Sequence, residues 1–294
     1  GIPHLQHRQG PRNRLRYSED RIRLLDFERS AGQVFDPKQS VITDDGLLLG
    51  VRNKNVTYLT NTEGSVTAFV QKGALWTYTQ NNGKFAQVFD FRKAAKGDFR
   101  DSHTEHDIKL LSVEDDGDVN FMVYGYMNRG NHEGYCGAGI YHYNHDQNVV
   151  EEKVFIPTTE SFEFLKSDLG TLSYVNKKNQ LFLLLSGSLY QINIDDSDYK
   201  VLAENIDSNQ FAVSETNAHA AWRIVDGEQT GQIEYIDFDS LKTRNNTPDA
   251  SQQFRVLGFM NEDLIYGILN KSDILTDEDG HKSEGISILR IEDF

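Results

Sequence analysis

Cysteine is almost missing from this chain. Cys136 stands alone, so no internal disulfide forms and cysteine usage assigns no redox compartment. Basic residues are outnumbered, 30 Lys and Arg against 45 Asp and Glu, which leaves a formal charge of −15. That balance argues against a phosphate-backbone partner, because nucleic-acid binding needs clustered Lys and Arg. Long apolar runs are absent too: none approaches the roughly 18 residues of a membrane span, and no signal peptide is present. Proline occurs only five times, against 13 Tyr, 17 Phe and 23 Gly, a mixture that suits strands and turns better than long helices. The 294 residues are 38% hydrophobic, enough for a sizeable core in one large domain or two smaller ones. The opening Gly1 fits either a processed protein or an excised piece of a longer one, and the second is the expectation, with any signal or anchor then lying before it.

The stretch 107–157 organises the rest. An apolar run (108–113), an acidic turn ending in Gly117 and a second run (119–127) come first. A glycine-rich loop (128–139), a third run (140–143) and a fourth (149–156) follow. Four short strands joined by turns predict a four-stranded antiparallel meander.

A short pattern recurs outside this stretch. Ile22-Arg23-Leu24-Leu25-Asp26-Phe27-Glu28 reads apolar, polar, apolar, apolar, polar, apolar, acidic. Ile233-Glu234-Tyr235-Ile236-Asp237-Phe238-Asp239 has the same form, as does the segment from Ile286 to Glu292. Looser copies end at residues 79, 144 and 195, so that successive copies lie roughly 44 to 65 residues apart. Hairpins precede several copies: 172–175 with 181–185, 211–213 with 219–224, and 254–259 with 264–269. Their second strands are almost continuously apolar, as expected of strands packed on both faces. One such sheet cannot cover both its faces alone, and stacked copies cover each other.

In this repeat the chain resembles the β-propeller superfamily, in particular the bacterial TolB-like and YVTN-like repeats, over roughly residues 21–294. The resemblance implies an all-β propeller of four-stranded antiparallel blades, preceded by a polar arm or linker over residues 1–20. Six copies give six blades, with five or seven as alternatives. Residues 21–35 completing the last blade would leave five. No WD dipeptide or kelch double glycine occurs, and Lys166-Ser167-Asp168-Leu169-Gly170 has Lys where a sialidase-type Asp box needs Ser. The resemblance therefore implies a fold and no activity. Two short segments, 91–96 and 159–166, are the expected helical exceptions.

The least ordinary segment is the loop 124–139. Its glycines let the backbone approach a ligand. Tyr126, Tyr135 and His132 offer flat faces with polar tips, and Arg129 and Glu133 offer charge-assisted hydrogen bonds. These five residues are the candidate ligand-binding set, for a protein or a carbohydrate. The competing reading is a long loop that packs its tyrosines on a neighbouring blade. Other constellations converge less well. In Asp101-Ser102-His103-Thr104-Glu105-His106-Asp107, a strand would place His103 and Glu105 on one face and His106 on the other, so no metal site is expected. Cys136 could act as a nucleophile with His132 or His142, but it lacks any surrounding signature and reads as a small filler. Asp277-Glu278-Asp279-Gly280 fails the calcium-loop register and, like 114–117 and 44–46, reads as an acidic hairpin turn.

The reading is a non-enzymatic ligand- or protein-binding propeller module of a larger bacterial envelope or secreted protein, without cofactor or metal. The alternative is a carbohydrate-active enzyme with paired carboxylates in the propeller funnel.

Overall fold

The computed structural model describes residues 40–42, 48–50, 57–71, 73–90, 105–225, 227, 231–276 and 282–293. The polar arm, the first copy of the repeat, the acidic turns at 44–46 and 277–280, the segment 91–96 and residues 101–104 lie outside them. The described residues are predominantly strand.

Strands β1 (Ser40–Ile42) and β2 (Leu48–Gly50) pair as a small antiparallel sheet. Then come the blades. The first holds β3 (Tyr58–Thr60), β4 (Val66–Gln71), β5 (Ala74–Thr79) and β6 (Lys84–Asp90), hydrogen-bonded in chain order. The second holds β7 (His106–Val113), β8 (Val119–Tyr126), β9 (Cys136–Asn144) and β10 (Val149–Thr158), again neighbour to neighbour. Helix α1 (Phe162–Thr171) leads to the third blade, β11 (Ser173–Val175), β12 (Gln180–Leu185), β13 (Ser188–Asn193) and β14 (Asp198–Ala203). The fourth is β15 (Phe211–Val213), β16 (His219–Arg223), β17 (Ile233–Asp237) and β18 (Thr243–Asn246). In the fifth, β19 (Gln252–Met260) and β20 (Asp263–Asn270) are followed by a small hairpin, β21 (Ile274–Thr276) with β22 (Lys282–Glu284). Strand β23 (Ile288–Glu292) then pairs with β20, so this sheet has three strands. The chain is thus a β-propeller of antiparallel blades, with four four-stranded blade sheets and one three-stranded sheet among the described residues.

The recurrent pattern has a structural meaning. Its five described copies fall on β5, β9, β13, β17 and β23, the third strand of each blade. In β17, Tyr235 and Ile236 are adjacent and both buried, because opposite faces of one strand meet opposite neighbours. Ile236 joins Phe182, Leu184, Leu189, Trp222 and Phe238 in the seam with the third blade. Tyr235 joins Phe254, Val256, Leu264 and Tyr266 in the seam with the fifth. Each large side chain so enclosed contributes on the order of 1.5–3 kcal/mol. The outer strands differ: Asp198 to Val201 of β14 are exposed, as befits an edge with no further sheet to cover it.

The hairpin that opens each blade needs a left-handed residue in its turn. Gly64, Gly117, Asn179, Asn217 and Asn261 supply it, with φ of 70, 96, 55, 61 and 57°. Glycine and asparagine are the residues that tolerate this conformation. The same turns reach across to the following blade. Asn61 Nδ2 donates to Asp115 O (3.3 Å), Asn176 Nδ2 to Phe238 O (2.8 Å), and Glu215 N to Asn261 O (3.1 Å).

By contact density the described residues fall into two compact units. One runs up to Met122 and includes Tyr141–Glu151; the other comprises Val123–Ile140 and everything from Glu152 onward. In the first, β7 packs against β3 and β4, and Phe89, Phe121 and Tyr141 form an aromatic trio with centroids 5.2 to 5.4 Å apart. The two seams described above form the core of the second.

Two boundaries differ from the sequence pattern. β9 begins at Cys136 rather than at residue 140, so the loop is shorter than its glycines suggest. A Cβ on Gly137 would strike the Ile156 carbonyl and the Phe155 ring, so this glycine serves strand-to-strand approach and not a loop. The helix expected over 159–166 forms later, at Phe162–Thr171. Ser161 is its N-cap, accepting from Phe164 N, and the acidic residue in its first turn, Glu163, suits the helix dipole.

Candidate functional site

β8 and β9 are joined by a hairpin whose base is closed by backbone bonds. Met127 N donates to Tyr135 O and Gly134 N to Met127 O, both at 2.8 Å. Beyond this pair the chain turns twice. Glu133 N donates to Gly130 O and Tyr135 N to His132 O. Gly130 and Gly134, with φ of 83 and 93°, permit those turns, and no heavy atom lies within 4 Å of where their side chains would be. The base is anchored by Met127, 1% exposed, and Asn128, 4% exposed. Asn128 Oδ1 accepts from Arg129 Nε at 3.1 Å.

The five candidate residues all belong to this hairpin, yet they face different surroundings. His132 is turned back onto β10. Its ring lies 3.8 Å from that of Phe155 at an interplanar angle of 9°, and its Nε2 is 2.7 Å from Glu152 Oε1. Tyr126 and Arg129 are half-buried, and Glu133 is exposed. Tyr135 stands out into solvent, 61% exposed. The structure therefore gives a tip with a fixed base and an open aromatic ring, and it adds two residues that the sequence did not single out. Glu152 and Phe155 are separated from His132 by 20 and 23 positions, and nothing in an ordinary amphipathic strand marks them as its partners.

The remaining constellations are placed as follows among the described residues. His106 lies in β7, while residues 101–104 lie outside the described part. Among the described residues no group of three or more His, Cys, Asp or Glu is arranged to hold a metal ion. Cys136 is half-buried. Neither histidine considered as its base is idle: Glu152 occupies His132, while His142 places Nδ1 against Asn120 Oδ1 (2.9 Å) and Nε2 against Asp118 Oδ2 (3.0 Å). Asp118 also accepts from Asn144 Nδ2 and His145 N, and so ties the two turns of the second blade together.

A second polar group sits where the opening turns of the fourth and fifth blades meet. His219 Nδ1 is 3.2 Å from Glu262 Oε2, and Thr216 N donates to Glu262 Oε1. Desolvation pushes the Glu262 carboxyl up, but hydrogen bonds from Ser214 and Thr216 and the nearby His219 outweigh it and hold the group below its usual value. These contacts join turn to turn, as Asn176 does one blade earlier.

No family model matches the chain, and no curated protein matches it. Solved structures that do include TolB from Acinetobacter baumannii (13% identity, 79% of this chain and 56% of that one, TM-score 0.35). The WD40 domain of SCAP from fission yeast is similar over 84% of this chain and 66% of that one, at 10% identity and a TM-score of 0.37. The tricorn protease matches at 11% identity and a TM-score of 0.36, over 86% of this chain but 22% of its own length. The likeness is one of fold. These scores carry no argument about activity, and the propeller assignment stands on the blades themselves.

Among the described residues no helix is long and apolar enough to cross a membrane.

Proposed function

We propose that this chain is a non-enzymatic binding module that engages a protein or carbohydrate ligand through the tip of the β8–β9 hairpin. The observation that carries the reading is Tyr135, 61% exposed at the end of a hairpin whose base is closed by hydrogen bonds and anchored by buried Met127. An aromatic ring held this way loses little further freedom on binding. Tyr and Arg are also the residues that dominate binding patches, at about 2 kcal/mol or more per truncation. Exposed Glu133, two residues before Tyr135, adds a carboxylate to the same tip. The connection also exceeds the usual two to five residues of a hairpin, and such excess is uncommon without a use. The proposal carries with it the extracytoplasmic location, in a bacterial envelope or secreted protein, that the TolB-like repeat implies.

The test is the double change Glu133→Ala with Tyr135→Ala, assayed on glycan and peptide arrays and by thermal melting. Both side chains are exposed, so the melting temperature should hold. Capture of the array ligand should weaken by roughly 30-fold, the equivalent of about 2 kcal/mol. Capture that survives in the double variant would end the reading.

A further inference from the structure

Helix α1 leaves the second blade from the edge at which the hairpin tip emerges. β10 runs back alongside β9, which brings its last residues beside the first of β9. The close approach of Gly137 to Ile156 and Phe155, and the stacking of His132 on Phe155, fix that neighbourhood. Phe162 opens the helix and stacks on Tyr124 near the end of β8, with centroids 5.9 Å apart. Leu165 and Leu169 are fully buried beneath the helix, and Asp168 Oδ2 accepts from Ser186 N in the β12–β13 turn. The helix is therefore firmly seated. Phe164 nevertheless points away from this seat and is 65% exposed.

A phenylalanine in water forfeits the burial that its neighbours Leu165 and Leu169 obtain, and the helix is held without it. Phe164 and Tyr135 are the two most exposed aromatic side chains among the described residues, ahead of Tyr199 at 47%. Tyr135 lies on the tip of the second blade, and Phe164 lies on the helix whose Phe162 stacks on Tyr124 at that end of the blade. The charged groups around them are mainly acidic. Exposed Glu160 and Glu163 flank Phe164, and exposed Glu133 lies two residues from Tyr135. Two cations lie close by in the chain: Lys166 sits over the Phe162 ring at 5.7 Å, and Arg129 of the tip donates from Nε to Asn128 Oδ1. The whole chain carries a formal charge of −15, which attracts cationic partners at long range.

We infer that α1 and the hairpin tip form one docking surface for a cationic segment of a partner protein. An apolar side chain of that segment rests on Phe164 and Tyr135, and its Lys or Arg residues meet Glu160, Glu163 and Glu133. This rests on the tip being a binding surface, and it names the partner class.

The probes are a fluorescent lysine–leucine amphipathic peptide carrying one tryptophan and its counterpart with glutamate in place of lysine, both at about 0.15 M salt. The cationic peptide should bind the whole chain and the acidic one should not. Phe164→Ser should weaken binding at least roughly tenfold with an unchanged melting curve, and Glu160→Gln with Glu163→Gln should weaken binding as much. Glu63→Gln with Glu215→Gln, in turns that open the first and fourth blades, should leave binding intact. Equal losses from this control pair would mean unspecific charge attraction and would overturn the inference. So would equal binding of the two peptides, or binding of neither. If Glu133→Ala with Tyr135→Ala weakens binding and Phe164→Ser does not, the tip reading survives and the joint surface falls. If only Phe164→Ser weakens it, the tip reading falls and takes the joint surface with it.

Discussion

Gln191 stands opposite Phe182 on the face of β13 that meets the fourth blade, and its Oε1 has no hydrogen-bond partner among the described residues. The side chain is 6% exposed, so water does not compensate freely. A buried carbonyl left without a donor costs about 1–3 kcal/mol. Gln191→Met, close to isosteric, should therefore raise the stability measured by urea unfolding by about 1 kcal/mol, and a loss would show that an ordered water satisfies the oxygen. Asn176 presents the opposite case. It is 5% exposed, accepts from Lys178 N and Gln180 N, and donates to Gln180 Oε1 and Phe238 O. Asn176→Ala leaves those partners unmet in a buried turn and removes the link to the next blade. It should lower stability by about 2–3 kcal/mol in the same assay. Two buried amides of similar exposure thus differ in the sign of their contribution.

At the scale of elements, Gly137 decides how the tip is carried. Its Cβ would overlap the Ile156 carbonyl, a backbone atom that cannot swing aside, and would crowd the Phe155 ring. Gly137→Ala should force β9 from β10, costing at least about 2 kcal/mol in chemical unfolding, and disturb the ring on which His132 rests. Gly134→Ala meets no neighbour within 4 Å but sits at φ 93°, so its cost is backbone strain alone, about 1–2 kcal/mol. An equal effect on the His132–Phe155 contact from both variants, read by nuclear magnetic resonance, would refute this distinction. These residues also show what the sequence discloses. The third strands were legible because a seven-residue pattern recurs on them, with both faces packed in β17 although Ile288, Leu289 and Ile291 of β23 are exposed, and the opening turns because Asn and Gly mark them. Gly137 and Gly139 misled, since a glycine that lets strands approach looks like one that frees a loop. The start of α1 depended on Ser161, a cap that composition alone does not reveal. Of the site, the position of the tip was legible, but the turn of His132 onto Phe155 and Glu152 was not. That geometry follows from β10 folding back alongside β9, which brings together residues 20 and 23 positions apart.

For the molecule as a whole, excess acid has a consequence at high pH. Three tyrosines of the second unit, Tyr174, Tyr235 and Tyr266, have their pKa values pushed up to about 12. Burial is the first cause in each. A neighbouring carboxylate is the second: Asp239 accepts the Tyr174 hydroxyl at 3.0 Å, Glu292 accepts that of Tyr266 at 2.8 Å, and the charges of Asp237 and Glu262 act on Tyr235. An unfolded tyrosine releases its proton near pH 10. Between about 10 and 12 the folded chain therefore binds more protons than the unfolded one, and stability falls as pH rises. Their contribution is complete below about pH 10 and is lost as pH rises through about 12, where tyrosinate would stand against carboxylate in three neighbouring blades. Urea midpoints taken in half-unit steps from about pH 9 to 12 should be flat at first and then drop steeply. Ultraviolet titration should show these three rings ionising late or only with unfolding. Tyr266→Phe isolates one contribution. It deletes the hydroxyl that donates to Glu292 and leaves that carboxylate with Asn246 Nδ2 at 3.0 Å. The variant should be less stable than the parent near neutrality, yet lose less on going to about pH 12. Parallel pH profiles for parent and variant would show that Tyr266 does not take part in the alkaline transition.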